Sequence, residues 1–470
     1  MIEIQIAGAG AGKTFGLAQK IAEHYDPKCH KNIFAITYTN DASKNISDAI
    51  IKQLGFLPDN IKVQTVHTFL LNEIIYPYSP FVLNETYTTS SRCQLSFADT
   101  KGKHKTRVTK SFILKKLKNK GIMHVEEVYS AAWRIVDESH SIHCSKSKKA
   151  KVHRVLEILG FCIDKIFLDE AQDLDQTALK LFKEIGEKSV DIYMVGDPKQ
   201  AIKYPESFKE FLKNNESNKL ITYHPNISTS RRVPQNILNI SNRFCPENQK
   251  QRSLSKTTGK LKYIVSTTPN YEDFLKKHIQ SGSLVSIYQK TGNYSTKSIN
   301  SKPEFDLDIE ELLIEHNKNI DHELLIGTAK TWLAKIVPTQ SPSASVTQFL
   351  EEFHIPYSSR TYAQLCHTIN SYDSSKSNIA KYAISSITRT KGLESDTCIL
   401  VLTPSIHKYL MQSGIKNSEK YNKMWNLVYV ALTRTKSNFI VAVDKDLFNT
   451  TTTVDKVIAD LVTLGFSELE

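Results

Sequence analysis

The N-terminal segment joins an apolar run to a glycine-rich loop that ends in Lys-Thr. The run Ile2–Ala7 predicts a short strand, and the glycines after it lead into Lys13 and Thr14 at the start of a helix. Small residues let the backbone of such a loop wrap a phosphate with its N–H groups. The N-terminus of the helix adds positive partial charge at the same place. The pattern therefore predicts a nucleotide phosphate-binding loop made of Ala7, Gly8, Ala9, Gly10, Ala11, Gly12, Lys13 and Thr14.

The end of this loop has expected chemical roles. Lys13 would neutralise the β- and γ-phosphates, and the hydroxyl of Thr14 would ligate Mg²⁺. Ala7 replaces the first glycine of the usual pattern. The alternative is a glycine-rich turn before an ordinary helix, which leaves the Lys-Thr pair unexplained. Because the first strand begins at Ile2, we expect no signal peptide in front of it.

The composition is that of a globular protein with several domains. The chain has 470 residues, of which 40% are apolar and 23% charged, and this length suggests roughly three domains. No apolar run approaches the roughly 20 residues that a membrane span needs. The seven cysteines are scattered without a Cys-x-x-Cys pair, which suggests reduced thiols. We therefore expect a cytoplasmic protein that does not enter a membrane.

Positive charge is concentrated in two stretches of the chain. The net charge is +12, and Lys101–Lys120 holds nine Lys or Arg residues and no acid. Lys146–Arg154 is a second basic stretch. Such stretches are either solvated faces or contacts for a nucleic-acid backbone, and the basic balance of the whole chain favours the second. Nearby, His140, His143 and Cys144 form a metal-like cluster, although a polar surface helix explains them better.

One apolar run ends in two adjacent acids. Ile166–Leu168 is followed directly by Asp169 and Glu170. Two neighbouring carboxylates at the end of a buried strand are costly unless a metal or another cation offsets them. Asp169 would hold Mg²⁺, directly or through water, and Glu170 would polarise an attacking water. The alternative is an acidic turn at the end of a strand.

Three other apolar runs also end in polar residues. They are Ile33–Thr39, Val63–Phe69 and Ile192–Gln200. Polar residues at the carboxyl ends of strands in an open α/β sheet face the ligand crevice. The neutral amide of Gln200 can donate or accept a hydrogen bond, so it could sense whether the γ-phosphate is present. Each of these runs is a weak signal when it is taken alone.

Two arginines in the second half of the chain are candidates for stabilising transition-state charge. Arg232 precedes a helix-like run, and Arg434 precedes a strand-like segment. In known NTPases an arginine in this role contributes several orders of magnitude to the rate. A single arginine is more often part of a surface ion pair, so this assignment depends on the other motifs.

Taken in order, the motifs resemble those of one protein family. They are AGAGAGKT, TNDA, TVHTF, LDEAQD, VGDPKQ, SRR, TKGLE and VALTR, and they run along nearly the whole chain. This order is similar to that of the superfamily 1 DNA helicases of the UvrD/Rep/PcrA type. The resemblance implies an α/β fold with two RecA-like parallel-sheet domains of the P-loop NTPase class. Inserted helical subdomains would accompany them, with ATP and Mg²⁺ bound between the two domains.

The resemblance also implies roles for individual residues. The groups expected at ATP are Lys13, Thr14, Asp169, Glu170 and Gln200 from the first domain and Arg232, Arg434 and Glu394 from the second. Among these, Glu394 matches a position that contacts the ribose. The residues expected to touch single-stranded DNA, or to couple it to ATP, are Thr39, Asn40, Thr65, His67, Tyr204, Ser386 and Thr388.

By the same resemblance the chain divides into two domains with insertions. The expected parts are 1–70 and 155–228 for the first RecA-like domain, 71–154 for an inserted basic subdomain that grips DNA, 229–290 and 349–470 for the second RecA-like domain, 291–348 for an atypical insertion, and 358–382 for a nearly absent second inserted subdomain. The short form is thus the main difference in organisation from the family.

Three departures from the family bear on its ligands. The glutamine motif that reads adenine lies upstream of the phosphate loop, and this chain starts too late to hold it. The aromatic residue that follows GDPKQ is missing, and Tyr204 is a substitute shifted by one position. Arg231 and Thr388 stand where Tyr and His are common. Because base stacking contributes roughly 1–3 kcal/mol per base, these changes would weaken the grip on single strands.

Two functions are expected, and a third is considered. The first is an ATP-dependent translocase or helicase on single-stranded or partly duplex DNA, moving 3′ to 5′ by resemblance. The second is a DNA-sensing regulatory ATPase with little unwinding of its own, acting with a nuclease partner subunit in an anti-phage defence complex. The reduced inserted subdomain and the missing aromatic favour the second. A basic scaffold with an inactive ATP site is the third, and the presence of all the ATPase residues argues against it.

Overall fold

The computed structural model describes residues 1–85, 87, 95–96, 110–119, 123–137, 146–296, 303–318, 320, 322–377, 381–412, 423–448 and 453–469. Tertiary contacts divide the chain into two units. Unit 1 comprises Met1–Phe69, Val136–Thr296 and Lys381–Glu470, and unit 2 comprises Leu70–Ile135 and Lys297–Ala380. About half of the basic stretch 101–120, and the residues His140, His143 and Cys144, lie outside the described residues.

The described elements follow one another along the chain as eighteen strands and eighteen α-helices. The strands are β1 Ile2–Ile6, β2 Asn32–Thr37, β3 Ile61–Thr65, β4 Leu95–Ser96, β5 Met123–His124, β6 Ile163–Leu168, β7 Asp191–Gly196, β8 Ile221–Tyr223, β9 Thr229–Ser230, β10 Arg252–Ser253, β11 Lys260–Val265, β12 Leu284–Ile287, β13 Tyr294–Ser295, β14 Tyr382–Ala383, β15 Ser385–Ser386, β16 Ser395–Val401, β17 Thr435–Val443 and β18 Ser467–Glu468. The helices are α1 Lys13–His24, α2 Asn40–Leu54, α3 Val66–Phe69, α4 Tyr76–Leu83, α5 Lys110–Asn119, α6 Val128–Val136, α7 Lys146–Cys162, α8 Gln176–Lys188, α9 Ser207–Asn214, α10 Gln235–Ser241, α11 Tyr271–Gln280, α12 Leu307–His316, α13 His322–Ile336, α14 Pro342–Glu352, α15 Ser359–Ser377, α16 Pro404–Met411, α17 Lys423–Leu432 and α18 Val454–Thr463. Among these helices, none combines the length and the apolar character that crossing a bilayer requires.

The first sheet of unit 1 is parallel throughout. Its six described strands lie in the order β3-β2-β6-β7-β1-β8, and each neighbouring pair runs in the same direction. Strands of such a sheet are apolar along their length because helices cover both faces. On one face, Leu17 and Ile21 of α1 and Ile46 and Ile50 of α2 share a core cluster with strand residues. The carboxyl ends of all these strands therefore meet at one edge, where ligands bind in open α/β sheets.

Local sequence determines where the helices at this edge begin. Gly12 precedes α1 with φ 81°, a left-handed conformation that glycine adopts without strain. Thr39 caps α2, because its side-chain oxygen accepts the N–H of Ala42 at 3.2 Å. Helix α2 ends before Gly55, which has φ 84° and is a common C-terminal signal. Thr39, which the sequence assigned to DNA, therefore has a structural role at the start of α2.

The second sheet of unit 1 is also parallel. Its described strands lie in the order β15-β12-β16-β17-β11-β18 with consistent parallel pairing. Helix α17 is its central helix, and every residue from Trp425 to Leu432 is buried. The helix-like run expected after Arg232 is α10. Two parallel six-stranded sheets with flanking helices confirm the predicted α/β fold with two RecA-like sheets.

Unit 2 contains a helical cluster formed by α12, α13, α14 and α15. Phe305, Phe349 and Leu365 lie in its buried core, and the rings of Trp332 and Phe349 meet edge to face with centroids 6.0 Å apart. Helices α12 and α13 both lie within the segment 291–348 that was predicted as an atypical insertion. The predicted boundary between 348 and 349 falls inside α14, whose side chain Phe349 packs in this core. The division into RecA-like domains and inserted subdomains stays a prediction.

The other part of unit 2 contains an ion pair. Both Nη atoms of Arg134 donate to Glu85, at 3.0 and 3.1 Å. Burial opposes ionisation of this carboxyl, but the hydrogen bonds from Arg134 and its neighbours lower the pKa of Glu85 to about 2. The pair therefore remains charged at any pH near neutrality.

Residues 297–380 leave unit 1 after β13 and return to it before β14. These two strands pair in parallel, Tyr294 opposite Tyr382, and the two rings stack with centroids 5.2 Å apart. The hydroxyl of Tyr294 donates to Asp444 Oδ2 at 2.9 Å and lies 2.9 Å from that of Tyr271. Both ends of the inserted segment are thereby fixed beside the second sheet.

Candidate functional site

The predicted phosphate loop and acid pair lie at the same edge of the first sheet. The loop Ala7–Thr14 follows β1, and Lys13 and Thr14 open α1. The acid pair Asp169 and Glu170 follows β6, two strands away from β1 in the sheet. The structure thus brings together residues that lie more than 150 positions apart in the chain.

The two acids of the pair differ in their ionisation. Burial, and then the neighbouring charge of Glu170, raise the pKa of Asp169 to about 7. Burial also opposes ionisation of Glu170, but the positive charges of Lys13 and Lys391 outweigh it and hold the pKa of Glu170 below its usual value. Glu170 therefore stays an anion at neutral pH, and a cation beside Asp169 would restore the charge of that carboxylate.

Glu170 is also unusual in its backbone. Its φ of 52° and ψ of 41° place it in the left-handed region, which costs a non-glycine residue on the order of 1–3 kcal/mol. The side-chain amide of Gln172 donates to the Glu170 carboxylate. The carbonyl oxygen of the same amide accepts the N–H of Asp197 at 2.8 Å. Gln172 therefore aims the acid and ties it to the loop after β7.

That loop carries a buried network centred on Asp197. Its carboxylate accepts from Lys199 Nζ at 2.7 Å and from Gln200 Nε2 at 2.8 Å. Gln200 then uses its carbonyl oxygen to accept Arg434 Nη2 at 3.0 Å. Gln200 therefore connects the loop after β7 in the first sheet to an arginine of the second sheet.

The two predicted arginines occupy different environments. Arg434 is 3% exposed at the end of α17, and burial together with the charge of Arg232 lowers its pKa to about 10. Arg232 forms an ion pair with Glu394, whose other oxygen lies 2.8 Å from Lys436 Nζ. Glu394 was predicted at the ribose, and in this structure it neutralises Arg232. A phosphate would have to compete with Glu394 for this guanidinium.

The chemistry of the residues fits a nucleotide with its magnesium ion. Thr37 ends β2 with 0% exposure, and its hydroxyl has no hydrogen-bond partner among the described residues. The register Ile36 to Leu168 places Thr37 next to Asp169 on the neighbouring strand. Mg²⁺ prefers hydroxyl, carboxylate and water oxygens. Thr14 and Asp169 could hold the ion, and Thr37 could accept or donate a bond to one of its waters.

We expect Thr37→Val to separate ligand binding from stability. An unsatisfied buried hydroxyl costs about 1–3 kcal/mol, so valine should leave the melting temperature unchanged or raise it. ATP hydrolysis should fall about tenfold, the effect of about 1.4 kcal/mol. Titration of the ATPase rate with Mg²⁺ and thermal unfolding measure the two effects. Thr397→Val, on β16, is the control for the ATPase rate, although its hydroxyl differs in accepting Asn438 Nδ2 at 3.2 Å. Loss of stability in the Thr37 variant would contradict the assignment.

Two of the residues predicted to contact DNA, His67 and Tyr204, lie close to Tyr38 and Lys203, which were not predicted. Tyr38 and His67 lie after β2 and β3 with ring centroids 6.3 Å apart. Lys203 Nζ lies 5.0 Å from the Tyr38 ring centroid and 5.2 Å from that of Tyr204. Burial, and then the charge of Lys203, lower the pKa of His67. We call Tyr38, His67, Lys203 and Tyr204 the aromatic cluster, and it lies at the carboxyl edge of the first sheet.

The remaining candidates are peripheral to this cluster or belong to the second sheet. Asn40 is exposed in the first turn of α2, beside Thr39. Thr65 ends β3 and caps the next turn, since its Oγ1 accepts the Thr68 N–H at 3.2 Å. Ser386 lies in β15, and Thr388 is exposed in the 3-10 turn that follows it.

Several residues in the site were not predicted from sequence. Gln172 and Lys391 lie inside the motifs LDEAQD and TKGLE, so their position in a motif could have identified them as site residues. Lys391 forms an ion pair with Asp173. Tyr38 stands between the strand and Thr39, where an aromatic signal was also available. Thr37 had no sequence signal, because it resembles an ordinary strand residue. Gln251 had none, because it lies outside every motif.

Comparison with known proteins agrees with this arrangement. Residues 2–205 match the family model described as an AAA domain. Gabija protein GajB of Bacillus cereus (strain VD045) is 30% identical over 295 residues, which cover 60% of this chain and 54% of that protein. ATP-dependent DNA helicase PcrA of Bacillus subtilis (strain 168) is 26% identical over 231 residues, which cover 42% of this chain and 31% of PcrA. The chain is thus similar over part of its length to an AAA domain, to GajB and to a UvrD/PcrA-type DNA helicase.

The similarity to these relatives is partial. The chain matches about half the length of GajB and about a third of PcrA. A solved structure titled "Complex structure of Arterivirus nonstructural protein 10 (helicase) with DNA" aligns with 98% of this chain and 63% of that chain, with 10% identity and a TM-score of 0.36. The fold assignment rests instead on the strand order and pairings of the two sheets.

Proposed function

We propose that this protein is an ATP-dependent translocase on single-stranded DNA of the UvrD/PcrA type, with 3′ to 5′ movement by family resemblance. The observation that carries the proposal is the bond between Gln200 and Arg434. It joins a loop beside the acid pair to an arginine of the second sheet. Hydrolysis of ATP between the two sheets would therefore change a contact that both of them share. Changes of this kind couple ATP-driven domain movement to movement along a DNA strand.

The proposed roles follow from charge and position. The Lys13 ammonium and the positive N-terminal end of α1 bind the phosphates. Glu170 accepts a proton from the attacking water, since its carboxylate is ionised at neutral pH. Arg434 and Arg232 stabilise charge that develops on the phosphoryl group. Thr14 and Asp169 would hold Mg²⁺, which would supply positive charge to offset that of the phosphates.

Hydrolysis measured with and without single-stranded DNA tests this function. A purified wild-type protein should hydrolyse ATP several-fold faster with a poly-dT oligonucleotide, and omission of Mg²⁺ should remove the activity. Displacement of a labelled strand from a tailed duplex then distinguishes translocation from sensing. An ATPase rate that ignores DNA at every concentration would contradict the proposal.

The aromatic cluster is the proposed contact for DNA bases on the first sheet. Aromatic stacking contributes about 1–3 kcal/mol per base, so Tyr38→Ala and Tyr204→Ala should each weaken binding of single-stranded DNA about tenfold. Fluorescence anisotropy of a labelled oligonucleotide measures the affinity. Tyr223→Ala, at an exposed tyrosine of β8, is the matched control. Unchanged affinity in both variants would exclude the cluster from the DNA path.

A second candidate function is a DNA-sensing ATPase subunit that acts with a nuclease in an anti-phage defence complex in the cytoplasm. Similarity to the Gabija protein GajB over 60% of the chain supports it. This reading predicts ATP hydrolysis that responds to DNA together with little displacement of long duplexes. Co-purification with a nuclease encoded next to this chain would favour the second candidate, and efficient unwinding by the isolated protein would favour the first.

A further inference from the structure

The phosphate loop is approached closely by one side chain from outside the first sheet. A Cβ atom added at Gly8 would lie 2.3 Å from Cδ of Gln251, which is too close for any other residue to replace this glycine without displacing Gln251. Gln251 is 4% exposed and lies 242 positions from Ala9 in the chain. A side chain at position 8 would therefore displace the amide end of Gln251 from the loop.

Gln251 bonds a backbone carbonyl group of the phosphate loop. Its Nε2 donates to the carbonyl oxygen of Ala9 at 3.1 Å and lies 3.5 Å from that of Thr229. In a trans peptide, the C=O and the N–H of the next residue point in opposite directions. A fixed Ala9 carbonyl therefore fixes the N–H of Gly10, which donates to no described residue. That N–H points away from Gln251, as a phosphate donor must.

Gln251 is itself held rigidly. Asn242 bonds its backbone in both directions, accepting the Gln251 N–H at 2.8 Å and donating to the Gln251 carbonyl at 2.7 Å. Its side-chain Oε1 accepts the hydroxyl of Tyr429 at 3.0 Å. The Tyr429 hydroxyl also accepts the Ala9 N–H at 3.3 Å. Tyr429 lies on α17, and Asn242 follows α10; residues of both helices pack in one core with strands of the second sheet. The peptide groups on both sides of Ala9 are therefore bonded to Tyr429 and to a residue that Asn242 holds at this core.

We propose that Gln251, together with Tyr429, is a positioning residue that makes the phosphate-binding shape of the loop depend on contact with the second sheet. The inference rests on the proposed binding of ATP. While the two sheets are in contact, the Ala9–Gly10 peptide is oriented for phosphate. Loss of the contact releases that peptide, so affinity for the nucleotide falls as the sheets separate.

Removal of the amide tests this inference. Gln251→Met keeps the size of the side chain but cannot donate to Ala9, and it should raise the KM for ATP about tenfold or more while kcat changes less than about threefold. Gln251→Glu accepts from Tyr429 but does not donate, so it should show the same loss. The melting temperature without nucleotide should stay near that of the wild type in at least one of these variants. If Gln251 were only structural, both substitutions would lower the melting temperature, and KM would not rise more than kcat falls.

A matched variant and a double-mutant cycle complete the test. Gln235 Oε1 accepts the Ser253 N–H on β10 at 2.8 Å, so Gln235→Met removes a similar amide that bonds elsewhere and should leave KM within twofold. Gln251→Met combined with Tyr429→Phe should cost little more than either change alone, because the two residues act as a unit. A KM for ATP within twofold of wild type in both Gln251 variants would overturn the inference and leave the proposed function intact. A wild type that neither binds nor hydrolyses ATP would overturn both.

Discussion

Lys13→Ala should hydrolyse ATP about 10²–10³-fold more slowly than the wild type, the usual cost of removing one group that stabilises transition-state charge. Lys13 opens α1 at the end of the phosphate loop, and its charge is the main factor that keeps the pKa of Glu170 low. Alanine removes the positive charge that acts on both the phosphates and the carboxylate of Glu170. Phosphate release with saturating single-stranded DNA measures the rate.

The control for Lys13 lies on the same helix. Lys20 is also on α1, where its Nζ lies 4.8 Å from the centroid of the Tyr193 ring. Lys20→Ala should keep ATP hydrolysis within about twofold, since its cation–π contact is worth only about 0.5–2 kcal/mol of stability. Equal turnover in the Lys13 variant and the wild type would remove Lys13 from the site.

Glu170→Gln should lower kcat by about 10²–10⁴-fold, the range that a positioned general base contributes. Glutamine keeps the size of the side chain and loses only the negative charge and the ability to take a proton. Binding of ATP should therefore remain, and it should strengthen slightly because a negative charge near the phosphates is gone. Single-turnover hydrolysis and binding of a fluorescent nucleotide measure the two quantities.

The control for Glu170 is another paired glutamate. Glu187 on α8 accepts Lys183 Nζ at 2.9 Å, away from the carboxyl edge of the sheet, and Glu187→Gln should keep both binding and kcat. A Glu170 variant with wild-type kcat would assign the base to another residue. A variant that no longer binds nucleotide would instead show that Glu170 supports the shape of the site.

The parts of the site that follow directly from local pattern were predictable from sequence. An apolar run followed by small or acidic residues identifies both a buried strand and the loop at its carboxyl end, which is why Lys13, Asp169 and Gln200 could be predicted to lie in such loops. The parallel sheet then collects such loops at one edge. The proposed chemical role of each residue still depends on the experiments above.

Contacts between distant residues could not be predicted in the same way. The pairing of Arg232 with Glu394 depends on side-chain rotamers, and the contact of Gln251 with Ala9 joins segments that no pattern links. Phe349 was assigned to the second domain because its helix resembles the family, but its apolar face packs with Phe305. Hydrophobic spacing predicts that a helix has a buried face, and it does not say which neighbour covers that face.

The paired strands β13 and β14 have a consequence for how this chain can change during evolution. They place the two ends of the segment 297–380 side by side, and Tyr294 fastens them to Asp444 near the end of β17. The entropy of closing a loop grows only slowly with its length once its ends are fixed. A segment grafted at this junction can therefore lengthen, shrink or be exchanged while the sheet that carries Arg434 keeps its order of strands. The junction thus separates a part of the protein that is free to diversify from one that is not.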